Sequence, residues 1–292
     1  MRRVLVIGIG MGQASQLTFR AAEALGQADL FLLLEKGEAA AGLVALREGL
    51  LARFAKPGHR VVRAPSPRRL RPPLPAGEAD ADAGAARDAT YRASVAAWHG
   101  ERAALLAEWL ARELPEDGTA AILVWGDPML YDSTLRVLEG ARAVLARRQV
   151  DGPADGQADW GAGGGSLPPE APAGFTVEVV PGLSALQMLC AAHSIPLNGV
   201  GEPVLVTTGR RVAERTPDAP AFAVLLDDGS GLSALLARGW TGEVWWGACL
   251  GTPDEALLAG PLTEVGVAIL NARAAIRARL GWVMDVWLAR PL

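Results

Sequence analysis

Three short glycine-rich stretches carry the residues best suited to bind a small polar ligand. They are residues 8–12 (GIGMG), 125–132 (WGDPMLYD) and 181–185 (PGLSA). Each follows an apolar run that predicts a buried strand, so each is a turn at the carboxyl end of a strand. Ligands of open α/β sheets bind at that edge. The glycines permit close approach to a ligand, and the middle stretch adds two carboxylates and a phenol beside exposed backbone groups.

Each turn taken alone has a competing interpretation. The first turn, together with Glu35 at the end of the next predicted strand, suggests an NAD site, but residue 13 is Gln where the dinucleotide motif would continue towards a third glycine. Asp127 could simply hold the backbone of a strand-to-helix turn, and Ser184 could be a helix N-cap.

Alternating strand and helix patterns predict an α/β fold with a parallel sheet in the first part of the chain. The predicted strands there are residues 4–7, 30–34, 60–63, 120–125 and 175–180. The predicted helices are residues 17–28, 39–54, 88–114, 133–147 and 185–194.

A second αβ domain is predicted where the pattern changes, so that residues 1–198 form an N-terminal αβ domain and residues 199–292 a C-terminal one. The predicted strands of the second domain are residues 204–207, 221–226, 244–249 and 282–288, and its helices are 233–238 and 264–280. Residues 64–87 and 150–174, rich in Pro, Ala and Gly, are predicted to be mobile surface loops.

The bulk composition limits the class of partner. The chain has 292 residues, a formal net charge of −4 and a pI near 5.5, so no basic field predicts a nucleic-acid partner. No apolar run reaches the roughly 18 residues of a membrane span, and Met1-Arg2-Arg3 leads directly into a strand rather than a signal peptide. The two cysteines have no metal or redox spacing. We therefore expect a cytoplasmic protein without a metal site.

The order of the three turns resembles the tetrapyrrole methylase family, the class III S-adenosylmethionine-dependent methyltransferases. That family shows a strand followed by G-x-G-P-G, a G-D-P loop with a nearby aromatic residue, and P-G-[ILV]-[ST]-[SA] leading into a helix that ends in I-P-L. Residues 8–12, 126–131, 181–185 and 195–197 match this pattern, except that Met11 replaces the proline. Residues 204–210 (VLVTTGR) and 250–262 match two segments of the family's second domain.

The resemblance implies two αβ domains with S-adenosylmethionine in the cleft between them, usually as a homodimer. By motif match, the implied cofactor-binding residues are Ile9, Trp125, Gly126, Asp127, Leu130, Ser184, Ala185, Asp228 and Gly251. Asp228 is placed by its position after the central strand of the second domain, where residues 226–229 (LDDG) replace a more apolar family segment.

Further segments are similar to family members that act on a corrin precursor. They are residues 91–99, 125–136, 191–198, 207–211, 245–248 and 281–285. This similarity implies methylation of precorrin-5 at carbon 1 with loss of acetate, in the biosynthesis of cobalamin. The alternatives are another tetrapyrrole methylase of the same fold, an NAD-dependent oxidoreductase, and a non-catalytic tetrapyrrole carrier.

The implied reaction assigns roles to few side chains. The sulfonium methyl is already activated, so its transfer needs positioning rather than a metal or a covalent nucleophile. Loss of acetate needs a general base or a positioned water. The candidates are Tyr131 and Asp132, and then His99 and His193, although His193 follows two alanines on an apolar helix, where a histidine is more often a packed residue than a base. Arg136 and Arg210 are predicted to bind the substrate carboxylates, unless they are solvated surface residues.

Overall fold

The computed structural model contains two five-stranded sheets covered by helices. It describes residues 1–11, 13–35, 41–70, 81–151 and 174–292, with the backbone alone at residues 35, 41, 81–87 and 149–151. Gly12 of the first turn, residues 71–80 of the first predicted loop and residues 152–173 of the second lie outside the described residues.

The first sheet is parallel throughout, with the strand order β3-β2-β4-β1-β5. Its strands are β1 (Arg2–Gly8), β2 (Leu30–Glu35), β3 (Arg60–Pro65), β4 (Thr119–Val124) and β5 (Phe175–Val180). Its helices are α1 (Phe19–Gln27), α2 (Ala41–Phe54), α3 (Ala81–Glu113) and α4 (Thr134–Asp151), and a single 3-10 turn covers Ala14–Gln16.

Strand β1 is buried on both faces, which explains its uninterrupted apolar sequence. Val4 and Val6 pack against α3 and α4 on one face, whereas Leu5 and Ile7 pack against α1 and α2 on the other. This alternation follows from the two-residue period of a strand. The sheet therefore has a helical layer on each side, and its carboxyl edge is left for the turns.

The second sheet is mixed, with the order β6-β7-β10-β8-β9. Its strands are β6 (Leu205–Thr208), β7 (Phe222–Leu225), β8 (Gly242–Ala248), β9 (Ala256–Pro261) and β10 (Asp285–Pro291). The helices of this part are α5 (Ala185–His193), α6 (Gly209–Glu214), α7 (Ser230–Ala237) and α8 (Leu262–Leu280). Only β6 and β7 pair in parallel.

Helix α5 packs on this second sheet, because Leu186 and Leu189 share a core with Ala223 and Leu288. Helices α7 and α8 contribute to the other core of that sheet. The predicted division at residue 198 assigns α5 to the first domain; that boundary stays a prediction, and the packing of α5 shows that the chain contacts the second sheet before it.

The structure corrects several predicted elements. The loop expected over residues 64–87 is shorter at both ends, because β3 continues to Pro65 and α3 already begins at Ala81; likewise α4 continues to Asp151, inside the loop expected over 150–174. Helix α6 and strand β9 were not predicted. Helix α6 starts with a glycine directly after a strand, and β9 ends in Gly-Pro, which an edge strand tolerates. Within the described residues, no helix is long and apolar enough to cross a membrane.

Strand ends β4, β1 and β5 approach one another more closely than side chains would allow. A Cβ atom on Gly182 would lie 2.3 Å from the carbonyl oxygen of Gly126 and 2.7 Å from the carbonyl carbon of Gly8. A Cβ on Gly8 would lie 2.5 Å from the nitrogen of Gly182. These glycines are therefore required by backbone-to-backbone packing.

We expect Gly182→Ala to lower the free energy of unfolding by about 1–3 kcal/mol, because the added methyl group has no space without a backbone shift. Gly49→Ala is the matched control, since the same methyl group meets nothing within 4 Å in helix α2. It should raise stability by roughly 0.5–1 kcal/mol. Urea unfolding measures both, and equal stability of Gly182→Ala and the wild type would contradict the packing argument.

Candidate active site

The three glycine turns lie together at the carboxyl edge of the first sheet, as the sequence predicts. Gly126 N donates a hydrogen bond to Gly10 O at 2.6 Å, and Gly10 N donates to Gly126 O at 3.3 Å. The Asp127 carboxylate then joins the second turn to the third: Oδ1 accepts from Met129 N at 2.7 Å and Oδ2 from Gly182 N at 3.3 Å. Asp127 thus holds the turns in place, which is the structural role considered for it.

Helix α5 begins beside these turns. Ser184 and Gln187 form a capping box, in which the Ser184 hydroxyl accepts from Gln187 N at 3.3 Å and the Gln187 side chain accepts from Ser184 N at 2.8 Å. A Cβ on Gly126 would lie 3.8 Å from Ala185 N. The positive end of the α5 dipole therefore adjoins the Gly126 turn, where it favours a carboxylate or another anionic group.

Two side chains connect this edge with the second sheet. Tyr131 donates a hydrogen bond from its hydroxyl to Val206 O at 3.1 Å, and burial raises the pKa of its phenol. Leu130 packs with Met11 against Leu250 and neighbouring residues of the second sheet. The turn after β4 consequently forms one wall of a cleft between the two sheets. The raised pKa makes Tyr131 a hydrogen-bonding and positioning group rather than a ready base.

Gln16 is a further residue of the cleft, and no local sequence pattern predicts it. Its side chain is buried, and its Oε1 accepts from Met11 N at 2.8 Å. A Cβ on Gly251 would lie 1.7 Å from Gln16 Nε2, so the amide occupies the space beside that glycine. Gln16 therefore brings the first turn into contact with the loop after β8.

Backbone strain is concentrated in the same loops. Three non-glycine residues there have positive φ angles, namely Tyr131 (52°), Leu226 (53°) and Cys249 (50°). They follow strands β4, β7 and β8, and the Leu226 side chain is 67% exposed. Such conformations are rare outside glycine and cluster at ligand sites. Leu226 is thus a candidate contact that the sequence analysis missed.

A comparison with known families shows which family has this arrangement of sequence motifs. Residues 3–151 and 169–266 match the family model of the Tetrapyrrole (Corrin/Porphyrin) Methylases. The chain belongs to this family.

Individual relatives cover nearly the whole chain. It is 38% identical over 291 residues to Precorrin-6A synthase [deacetylating] from Sinorhizobium sp, covering 99% of this chain and 95% of that protein. The crystal structure of a cobalamin synthesis related protein (CobF) from Corynebacterium diphtheriae matches with a TM-score of 0.70 at 31% identity, covering 100% of this chain and 99% of that one. Uroporphyrin-III C-methyl transferase from Thermus thermophilus, complexed with S-adenyl homocysteine, shares the fold, with a TM-score of 0.51 at 19% identity over 99% of this chain and 92% of that one.

The methylase fold positions most of the residues predicted to bind the cofactor around this cleft. The Gly126 and Asp127 turn, Leu130, Ser184, Ala185 and Gly251 belong to the contacts described above. The Ile9 side chain is fully buried in the core between the sheet and α1, so only its backbone can face a ligand. Their contact with a cofactor stays a prediction.

Asp228 differs from the others because it is exposed and engaged locally. Its carboxylate accepts from Ser230 N at 3.1 Å, and hydrogen bonding from Ser230 lowers its pKa. Its neighbour Asp227 is buried, where it accepts from Gly231 N at 2.9 Å and Trp287 Nε1 at 3.0 Å. The two acids therefore organise the turn before α7, and the exposed strand-end residue beside them is Leu226.

The candidate base and substrate-binding residues have distinct environments. Asp132 is exposed and accepts from Thr134 N at 2.6 Å at the start of α4. Arg136 is exposed on the first turn of that helix. Arg210, in contrast, already pairs with Asp88 and Glu214, both at 2.6 Å, so its positive charge is compensated within the protein.

The two histidines considered as possible bases lie in different environments. His193 Nε2 lies 3.0 Å from Trp246 O, which fits the interpretation as a packed residue. His99 lies near Asp132 but has its pKa lowered, first by burial and then by the charges of Arg102, Arg136 and Arg69. Among the residues that the structure describes, no group of three or more His, Cys, Asp or Glu could hold a metal ion.

We expect Arg102→Gln to raise the pKa of His99, because it removes a positive charge that disfavours the imidazolium. Burial continues to act, so the pKa should stay below its usual value. The chain has only 3 histidines, so an NMR titration can follow each ring separately. Arg112→Gln, an exposed change on the same helix, is the control; an unchanged His99 pKa in Arg102→Gln would contradict the proposed proximity.

Proposed function

We propose that the chain is an S-adenosylmethionine-dependent methyltransferase that methylates precorrin-5 at carbon 1 and releases acetate, a precorrin-6A synthase (deacetylating) of cobalamin biosynthesis. The observation that carries this proposal is the 38% identity, over 99% of the chain, to the Sinorhizobium enzyme of that name. The similarity to CobF supports the same pathway. In the reaction, water would add to the acetyl carbonyl, and the bond between that carbonyl and carbon 1 would break to release acetate. The electron pair left on carbon 1 would then take the methyl group, with S-adenosylhomocysteine as the second product.

The geometry supports S-adenosylmethionine as the cofactor. The T. thermophilus relative of the same fold was crystallised with S-adenyl homocysteine. In this chain, the Gly126 turn adjoins the N-terminus of α5, and that N-terminus suits the methionine carboxylate. When bound, the cofactor supplies the activated methyl group. The protein contributes orientation by the turns and separation from water by the two sheets.

Tyr131 and Asp132 have separate parts in this proposal. Tyr131 positions the wall of the cleft through its hydrogen bond to Val206 O. Asp132 is the candidate base that activates water for the loss of acetate, because it is exposed at the mouth of the same turn. Arg136 contacts the substrate, and Arg210 contributes less, since Asp88 and Glu214 already compensate its charge.

We also propose that the protein forms a homodimer, as the family resemblance implies, and that it is located in the cytoplasm. The unpaired cysteines Cys190 and Cys249 support a reducing compartment. Precorrin-5 is the proposed small-molecule partner, and the proposal involves neither nucleic acid nor a membrane.

Asp127→Ala should weaken the binding of S-adenosylhomocysteine about tenfold or more, because the carboxylate no longer ties the second turn to the third. Asp117→Ala is the matched control, since that carboxylate is exposed and pairs with the N-terminal amine, away from the three turns. Titration calorimetry measures both affinities. Equal affinities for wild type and Asp127→Ala would show that the turn does not form the cofactor site, and binding of NAD instead would favour the oxidoreductase alternative.

The decisive test of the activity is incubation of the protein with precorrin-5 and methyl-labelled S-adenosylmethionine. We expect one labelled methyl group in the product and released acetate, both measured by mass spectrometry. Label without acetate would indicate another methylase of the same fold. Pigment binding without any label would indicate the non-catalytic carrier.

A further inference from the structure

Four arginines lie around Asp132 and His99 beside the turn that follows β4. This basic cluster consists of Arg47, Arg69, Arg102 and Arg136. The charge of Asp132 favours the positively charged forms of Arg47, Arg102 and His99. The charges of Arg69, Arg102 and Arg136 disfavour the positively charged form of His99. The cluster therefore brings Arg47 and Arg102 to one carboxylate and adds the charges of Arg69 and Arg136 beside His99, at the same sheet edge as the cleft.

Arg47 reaches this place from α2, on one face of the first sheet. Its guanidinium carbon lies 5.0 Å from the centroid of the Trp125 ring, and Nη2 is 3.5 Å from Leu123 O. Its Nε is buried without a hydrogen-bond partner. Burial lowers the pKa of the guanidinium to about 10, while the charge of Asp132 raises it, so the group remains positive near neutral pH.

Arg102 arrives from α3, on the opposite face. Its guanidinium carbon lies 4.7 Å from the Trp98 ring centroid, and Nη1 donates to Ser133 Oγ at 2.9 Å. Its Nε is likewise buried without a partner. Arg47 and Arg102 are thus alike: each is desolvated, oriented by an indole ring, and incompletely hydrogen-bonded.

Three other arginines are paired with carboxylates, whereas Arg290 resembles Arg47 and Arg102, with its guanidinium carbon 5.1 Å from the Trp245 ring centroid and a buried Nε without a partner. Arg210 and Arg211 both pair with Asp88, and the buried Arg273 pairs with Asp285 at 3.1 Å. Neither Arg47 nor Arg102 has a carboxylate within 4.0 Å among the described residues. A buried donor without a partner is costly, and a planar guanidinium fork matches a carboxylate with two parallel hydrogen bonds. An external carboxylate would supply the negative charge with which neither guanidinium is paired in the described part of the protein.

We propose that the basic cluster binds peripheral carboxylate side chains of the tetrapyrrole, with Arg47 and Arg102 making the decisive contacts from the two faces of the sheet. This inference rests on the proposed function and adds the residues that recognise its substrate. Because Arg47 stacks on Trp125, next to Gly126, the carboxylates held here place one edge of the macrocycle beside the cofactor turn. Arg136 lies in the same cluster and adds charge, whereas Arg210 lies in the paired group outside it.

The test is steady-state kinetics of the full-length chain with precorrin-5. Arg47→Gln and Arg102→Gln should each raise KM about 10- to 100-fold, with a smaller change in kcat, because a charge-assisted contact to bound substrate is lost. Arg102→Lys keeps the positive charge but not the planar fork of donors, so its KM should lie between those of the wild type and Arg102→Gln. Arg112→Gln, an exposed change at the end of the same helix, should keep the wild-type KM.

Two further measurements separate the possible failures. S-adenosylhomocysteine affinity should stay within about twofold of wild type in all variants, because the cluster is assigned to the substrate. Thermal unfolding identifies any variant that does not fold; the pair Arg102→Gln and Arg102→Lys then tests the inference even if Arg47→Gln is unstable. Folded variants with wild-type KM would overturn the basic cluster and leave the proposed function intact, whereas a wild-type protein without methyl transfer would overturn the proposed function itself.

Discussion

The rest of the site depends on the close backbone contact between three strand ends. Gly8 and Gly182 lie against each other and against the carbonyl oxygen of Gly126 at distances that exclude a Cβ atom on either of them, so the turns after β1, β4 and β5 form a single surface instead of three separate loops. The hydrogen bonds between Gly10 and Gly126, and from Gly182 to Asp127, lock that surface. Because the strands are parallel and adjacent, their carboxyl ends lie together at one edge of the sheet, which is where ligands of open α/β sheets bind. The start of α5 at the same surface then follows from the short connection after β5.

A single surface is not yet a cleft; the second sheet supplies the opposite wall. Residues of the first sheet and its turns contact that wall through interactions of three kinds. Leu130 and Met11 are held by apolar packing, Tyr131 by one hydrogen bond to a strand backbone, and Gln16 by filling the space beside Gly251. The positive φ angles of Tyr131, Leu226 and Cys249 lie where these contacts are made. Strain in residues that are not glycine must be offset by surrounding packing, which explains why the loops are tied so closely to both sheets.

The strands and turns could be predicted from the sequence, whereas the side chains that complete the cleft could not. Strands buried on both faces, such as β1, appear as continuous apolar runs, and glycine turns mark their ends. Gln16 lies in a short 3-10 turn and Leu226 is one leucine among many, so no local pattern distinguishes them. Strand β9 was missed because a Gly-Pro end is unusual for a strand, and α6 because its stability depends on neighbours, including Arg238, which donates to Val212 O at 2.8 Å. The pairing of Arg210 with Asp88 links residues 122 apart, and such long-range partners are set by the fold.

The electrostatics of the basic cluster show why net charge is a poor guide to a binding site. The chain carries a formal net charge of −4, yet it places Arg47 and Arg102 beside one aspartate, Asp132. Charges more than about 10 Å apart are largely screened at moderate salt, so a bound carboxylate responds to its nearest groups rather than to the total. Partial burial strengthens that local field, since the effective dielectric falls. An acidic protein can therefore hold a polycarboxylate substrate, provided that the arginines facing the substrate are not already paired with carboxylates of the protein. Arg47 and Arg102 meet that condition, whereas Arg210 is paired with Asp88 and Glu214.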